Sequence, residues 1–110
     1  MAWERLNPAA ERRVIHSERL TVARLRLAAA AVVAEHHHEN EQLTMVMSGR
    51  LQFFYPGGEL VVGPGQVLQI PPNVPHRVVA LEDSEAIDLF APVREDWLRG
   101  EDSYLRGRSR

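Results

Sequence analysis

The sequence predicts an all-β domain, a small antiparallel sandwich or barrel. Two observations carry that reading. Short apolar runs with strand-like alternation recur between Val14 and Pro92, and glycine- or proline-bearing turns separate them at regular spacing. No internal repeat or low-complexity segment interrupts the pattern. One modest core is what 110 residues can bury.

The elements follow in order. Residues 1–12 read as an N-terminal arm. In "TVARLRL", Arg24 and Arg26 share one face and Ala23, Leu25 and Leu27 the other. The alanines Ala28–Ala31 read as a strand end and turn, being too few to nucleate a helix. "QLTMVM" is a strand; "SG" turns into "RLQFFY", "PGG" into "ELVV" and "GPGQ" into "VLQI". "PPNVP" is a stiff loop, because its prolines restrict φ and lack the ladder donor. "HRVVAL" and "EAIDLFA" read as a last hairpin around Glu82–Ser84, which would lay Asp88 alongside the strand starting at His76. The barrel thus spans 13–92. Beyond it, Trp97 and Leu98 stand at helical spacing from Val93 and Arg94, so 93–110 reads as a short C-terminal helix or packed tail ending in a frayed "RGRSR". Trp97 reads as the anchor of that segment. Met45 and Met47 lie opposite Gln42, for packing between sheets or against a partner subunit.

Composition removes several chemistries. Cysteine and lysine are both absent, which excludes disulfides, thiolates and Schiff bases. A net charge of -2 gives no field for nucleic acid, and no apolar run is long enough for a membrane span. "MAWERLNPAAERR" has no apolar h-region, so a cytoplasmic location is expected.

The histidines hold the most specific chemistry. In "EHHHENEQ", residues 35–42, strand parity puts His36, His38 and Gln42 on one face with Thr44 and Val46. His37, Glu39 and Glu41 take the other. H-x-H on a strand brings two imidazoles together, and His76, behind the proline-stiffened loop, is a well-fixed third candidate. A solvated polar turn is the competing reading. His16 reads as a surface or edge-strand residue.

These spacings resemble the cupin superfamily. Its first motif is glycine, five residues, H-x-H, three or four residues, Glu, six residues, Gly. His36, His38 and Gly49 match, Gln42 takes the Glu place and Ala30 the leading glycine's. Its second motif is Gly, five residues, Pro-x-Gly, two residues, His, three residues, Asn. Gly65, Pro71 and His76 match, with Asn73 and Ala80 as departures. Asn73 tolerates a glycine-like positive φ. The resemblance covers Val14 to Pro92 and implies a jelly-roll barrel holding one divalent metal ion, Zn, Ni, Fe or Mn, on His36, His38, Gln42 and His76. Four neutral ligands would leave the ion its full charge, suited to polarising an anionic oxygen substrate.

"DLFAPVR" adds Asp88, Phe90 and Arg94. Asp88 either faces solvent, with Ile87 and Leu89 in the core, or is an acid–base group inside the barrel. Arg94 is either a helix-start residue paired with solvent or Glu95, or a clamp for a carboxylate. With "HHHENEQ" and "PPNVPH", this string is similar to the pectin-degradation cupins of the KdgF type. That likeness implies an enzyme linearising 4,5-unsaturated uronates, with Asp88 moving protons, Arg94 holding the carboxylate and Phe90 forming the wall. It also implies a carboxylated sugar as substrate and a homodimer. A quercetinase-like dioxygenase, a non-catalytic small-molecule binding module and a metal-free barrel are the alternatives.

Overall fold

The computed structural model describes residues 2–106. Of the frayed end expected at 106–110, Arg106 is helical and 107–110 lie outside the described residues. Ten strands form two antiparallel sheets. They are β1 (Glu4–Asn7), β2 (Ala10–His16), β3 (Thr21–Leu27), β4 (Val32–His36), β5 (Glu41–Ser48), β6 (Leu51–Tyr55), β7 (Gly58–Val62), β8 (Val67–Ile70), β9 (His76–Ala80) and β10 (Ser84–Ala91). Two single-turn helices follow, α1 (Glu95–Leu98) and α2 (Ser103–Arg106).

One sheet has the order β1-β2-β3-β10-β5-β8 and the other β4-β9-β6-β7. From β3 onward the chain steps back and forth between them in jelly-roll order. The sheets are not closed into one barrel; two layers face each other across the core. Residues 4–7 and 10–16, within and beyond the expected arm, extend the first sheet beside β3.

Alternation decides which residues fill that core. On β10, Ala86, Asp88 and Phe90 are buried while Ile87 and Leu89 face outward. On β3, Ala23 and Leu27 are buried, whereas Arg24 and Arg26 turn outward to pair with Glu85. Leu51 and Phe53 of β6, Val62, Ile70 and Val78 complete the interior. Each large side chain contributes about 1.5–3 kcal/mol by leaving water. Met47 is exposed on the outer face, so it does not pack between the sheets.

The connections correct part of the sequence reading. Between residues 48 and 84 only the turn at 56–57 closes a hairpin, pairing β6 with β7. "SG" carries the chain from one sheet to the other, and so does "GPGQ". Residues 81–83 also cross over: β9 pairs with β4 and β6, and β10 with β3 and β5. Asp88 therefore does not run alongside the strand of His76; the two face each other across the sandwich. The crossings hold because their polar groups find partners. Asp83 Oδ1 accepts from Ala29 N at 2.8 Å, and Ser84 Oγ accepts from Arg50 N at 3.1 Å. Gly49, at φ +81°, sits so close to this corner that a Cβ would come within 2.2 Å of Ser84 Oγ.

The two residues that replace motif glycines both take the glycine-like conformation. Ala30 has φ 70° and Asn73 has φ 64°. Ala30 is held there by its N–H donating to Ala80 O at 2.8 Å, which ties the turn to β9.

Candidate metal centre

Three histidines converge between the sheets. His36 ends β4 and His76 begins β9, so they are cross-strand partners. His38 lies past the end of β4, in the 37–40 link, yet parity still turns it inward. His38 and His76 are buried, His36 half-buried, and His37, Glu39 and Glu41 exposed. The ring centroids of His36 and His76 are 4.3 Å apart, and those of His38 and His76 5.3 Å. One ring nitrogen of each residue lies within 4.8 Å of the other two.

The hydrogen bonds settle which nitrogen is free. His36 Nδ1 meets Ala34 O at 2.8 Å, His38 Nδ1 meets Asn40 O at 3.0 Å, and His76 Nδ1 meets Val74 O at 2.9 Å. A carbonyl oxygen only accepts, so each Nδ1 carries the proton and each Nε2 keeps its lone pair. Backbone carbonyls orient ligating histidines in this way. Burial lowers all three histidines, His36 to about 3 and His38 to about 4, helped by the neighbouring imidazoles and by Arg94. They are neutral at ordinary pH and ready to ligate without losing a proton.

Gln42 completes the test of fit. Its Nε2 donates to Thr44 Oγ1 at 2.8 Å, which turns Oε1 toward His38 Nε2, 3.0 Å away. An amide oxygen and an imine nitrogen are both acceptors, and two acceptors at that distance repel unless a cation lies between them. Three free Nε2 atoms and this oxygen are a donor set that a divalent ion fits.

Behind Gln42 the polar chain continues. Thr44 Oγ1 donates to Asp88 Oδ1 at 2.6 Å. Burial pushes Asp88 up to about 6, against the pull of the Thr44 hydroxyl, Arg94 and Gln42. The solvent-facing alternative for Asp88 is thereby excluded. Asp88, Phe90 and Arg94 line one interior cavity with His36, Gln42 and His76. Phe90 is buried beside His38, with centroids 5.5 Å apart.

Arg94 is 1% exposed and does not pair with Glu95. Its Nε and Nη2 donate to Asp96 at 2.9 and 2.7 Å, and Nη2 also donates to Tyr104 Oη at 2.9 Å. Nη1 has no partner among the described residues. The guanidinium lies over the rings of Phe90 and Trp97 at 4.6 and 4.2 Å.

The sequence reading assigned no role to three residues here. Thr44 was placed on the inward face, but its bridge from Gln42 to Asp88 needs two sheet neighbours. Asn40 is buried and donates to the carbonyls of Pro92 and Val93, fixing the histidine link to the start of the C-terminal segment. Tyr104 stacks on His36 with centroids 4.4 Å apart, and a polar tail offered no signal for that. His16 is half-buried and reaches Thr21 Oγ1 at 2.8 Å, away from the cluster.

The comparisons agree with this geometry. The Cupin domain family matches residues 23–91. KdgF from a Halomonas species is 31% identical, with a TM-score of 0.81, over 88% of this chain and 93% of that one. An RmlC-like cupin from Shewanella frigidimarina is 25% identical, with a TM-score of 0.81, over 87% of each chain. Oxalate decarboxylase from B. subtilis, 21% identical with a TM-score of 0.71 over 78% of this chain and 26% of its own, shares the fold. No curated protein matches the chain in sequence. No helix among the described residues is long and apolar enough to cross a membrane. With most of its length matched and three of its five histidines gathered between jelly-roll sheets, the chain belongs to the cupin family, as a KdgF-like member.

Proposed function

We propose that this protein linearises 4,5-unsaturated uronate sugars. The observation that carries the reading is one cavity lined by a buried carboxyl held near 6, a buried guanidinium and two of the three clustered histidines, His36 and His76. The 31% identity to a KdgF supports it. His36, His38, Gln42 and His76 would hold a divalent ion. Such an ion supplies Lewis acidity toward a sugar oxygen.

The remaining work falls to the side chains. Arg94 binds the substrate carboxylate with its guanidinium edge. Asp88, ionised above about 6, takes the proton of the anomeric hydroxyl. The C1–O5 bond then breaks, leaving an aldehyde at C1 and an enolate oxygen at C5. Asp88 returns the proton to C4, and the enolate becomes a ketone. The net change is an isomerisation, and every proton is accounted for. Phe90 closes the wall beside His38. Two copies pair through the outer face of the larger sheet, where Ile15, Met47 and Val67 are exposed; the mass in solution by light scattering tests this.

The decisive assay follows the ultraviolet absorbance of the unsaturated uronate. Metal-loaded protein removes it faster than buffer, and His76→Ala and Asp88→Ala do not. Decay at the buffer rate in the presence of loaded wild-type protein overturns this function and favours a binding module.

A further inference from the structure

The cavity that holds Asp88 and Arg94 is about 40 Å³, room for one or two waters, whereas organic ligands occupy sites of about 300 Å³ and more; a hollow of about 270 Å³ on the other side of His76 reaches neither Asp88 nor Arg94. A sugar acid therefore needs something to leave. The two sheets cannot part without exposing the apolar core they bury between them. The C-terminal segment can, because α2 is a single turn with no strand pairing of its own. It is held by side chains alone: Asn7 Nδ2 donates to Leu105 O at 2.8 Å, and Arg106 reaches Glu4 and Asp102.

The residue this segment inserts resembles a ligand. The ring of Tyr104 lies flat against His36, and its hydroxyl accepts from Arg94 Nη2 at 2.9 Å and from Trp97 Nε1 at 3.1 Å. It thus bridges the histidine cluster and the guanidinium, the two groups that a sugar acid would also have to join. Arg94 Nη1 has no partner among the described residues, a donor that a second carboxylate oxygen would use and a phenol cannot.

We infer that Tyr104 is a built-in occupant of the substrate's place, which a carboxylated sugar displaces ring for ring and carboxylate for hydroxyl. The inference rests on the reading of Arg94 as a carboxylate clamp. It makes Tyr104 a specificity-determining residue: only a ligand that outbids a phenol at Arg94 opens the segment.

The test uses galacturonate, a saturated uronate that binds without turnover, on metal-loaded full-length protein. Calorimetry compares the wild type with Tyr104→Ala and Tyr104→Phe. Removing the competitor and its bond to a charged group tightens galacturonate binding about tenfold in Tyr104→Ala. Tyr104→Phe, which keeps the ring over His36 but not the hydroxyl, falls between. In a Trp3→Phe background, galacturonate changes the emission of Trp97 in the wild type, as the phenol leaves its indole N–H, and galactose does not. Equal or weaker galacturonate affinity in Tyr104→Ala overturns the inference, as does an unchanged Trp97 emission on saturation. Tighter binding in Tyr104→Ala with no turnover of unsaturated uronate would leave the inference standing and remove the proposed reaction. Turnover with unchanged affinity would do the reverse.

Discussion

Asp102→Ala is expected to cost far more than its place in a C-terminal tail suggests. Asp102 is 5% exposed and accepts from Arg12 Nη2 at 2.9 Å and from Arg106. Arg12 is itself 4% exposed and lies 4.6 Å over the Trp97 ring, with Nε and Nη1 unpartnered among the described residues. Removing one member of a buried pair leaves an uncompensated charge, at about 3–5 kcal/mol. Glu4, the other carboxylate on Arg12 Nη2, is 45% exposed and keeps part of the interaction, so the lower end, about 3 kcal/mol, is expected. The assay is urea denaturation at pH 7: the midpoint falls while the slope m is unchanged. Because the pair is buried, 1 M salt leaves the difference in place. Burial alone would raise Asp102, but the hydrogen bonds from Arg106 and Arg12 hold it below its ordinary 3.8. A carboxylate lowered in the fold contributes stability above 3.8 and loses it as pH falls through the folded value. The gap between wild type and variant therefore closes in strong acid. A cost under about 1 kcal/mol at pH 7, the size expected of Glu85→Ala at the exposed Arg24 and Arg26 pairs, would refute the argument.

Other outcomes follow from the site and the turns. A free divalent ion at a hundred times its Kd stabilises the fold by about 2.7 kcal/mol, on the order of 10 °C in a thermal melt, and His38→Ala removes that shift. Thr44→Val keeps the shape but strands the Gln42 amide and an Asp88 oxygen; it lowers stability by about 2 kcal/mol in urea and abolishes uronate turnover. Ala30→Gly relieves an alanine at φ 70° and, net of the entropy glycine adds to the unfolded chain, stabilises by about 0.5–1 kcal/mol by the same measurement.

Much of this was legible in the sequence because it depends on period-2 parity. His36, His38 and Gln42 inward, with His37, Glu39 and Glu41 outward, follows from parity even though His38 lies outside a regular strand. Asn73 likewise took the turn that its side chain tolerates. Parity was silent on which sheet a strand joins. A two-residue link such as "SG" can close a hairpin or cross the sandwich, and what decides is a corner of Gly49, Asp83 and Ser84 assembled from distant parts of the chain. The same limit hid Tyr104, whose position depends on Arg94, Trp97 and His36 being brought together first. Alternation alone leaves Asp88 either inside or outside; the outward faces of Ile87 and Leu89 put it inside.

The candidate ligands come from both layers: His36 and His76 from the smaller sheet, Gln42 from the larger. An ion held by all of them would act as a rivet through the sandwich, closing a loop from residue 36 to residue 76 as a covalent cross-link would. Its release would then require the two layers to part. Amide protons in β4 and β9 and those in β5 and β10 would slow their exchange together on loading, as one mechanical unit, while β1 and β2 kept their own rate.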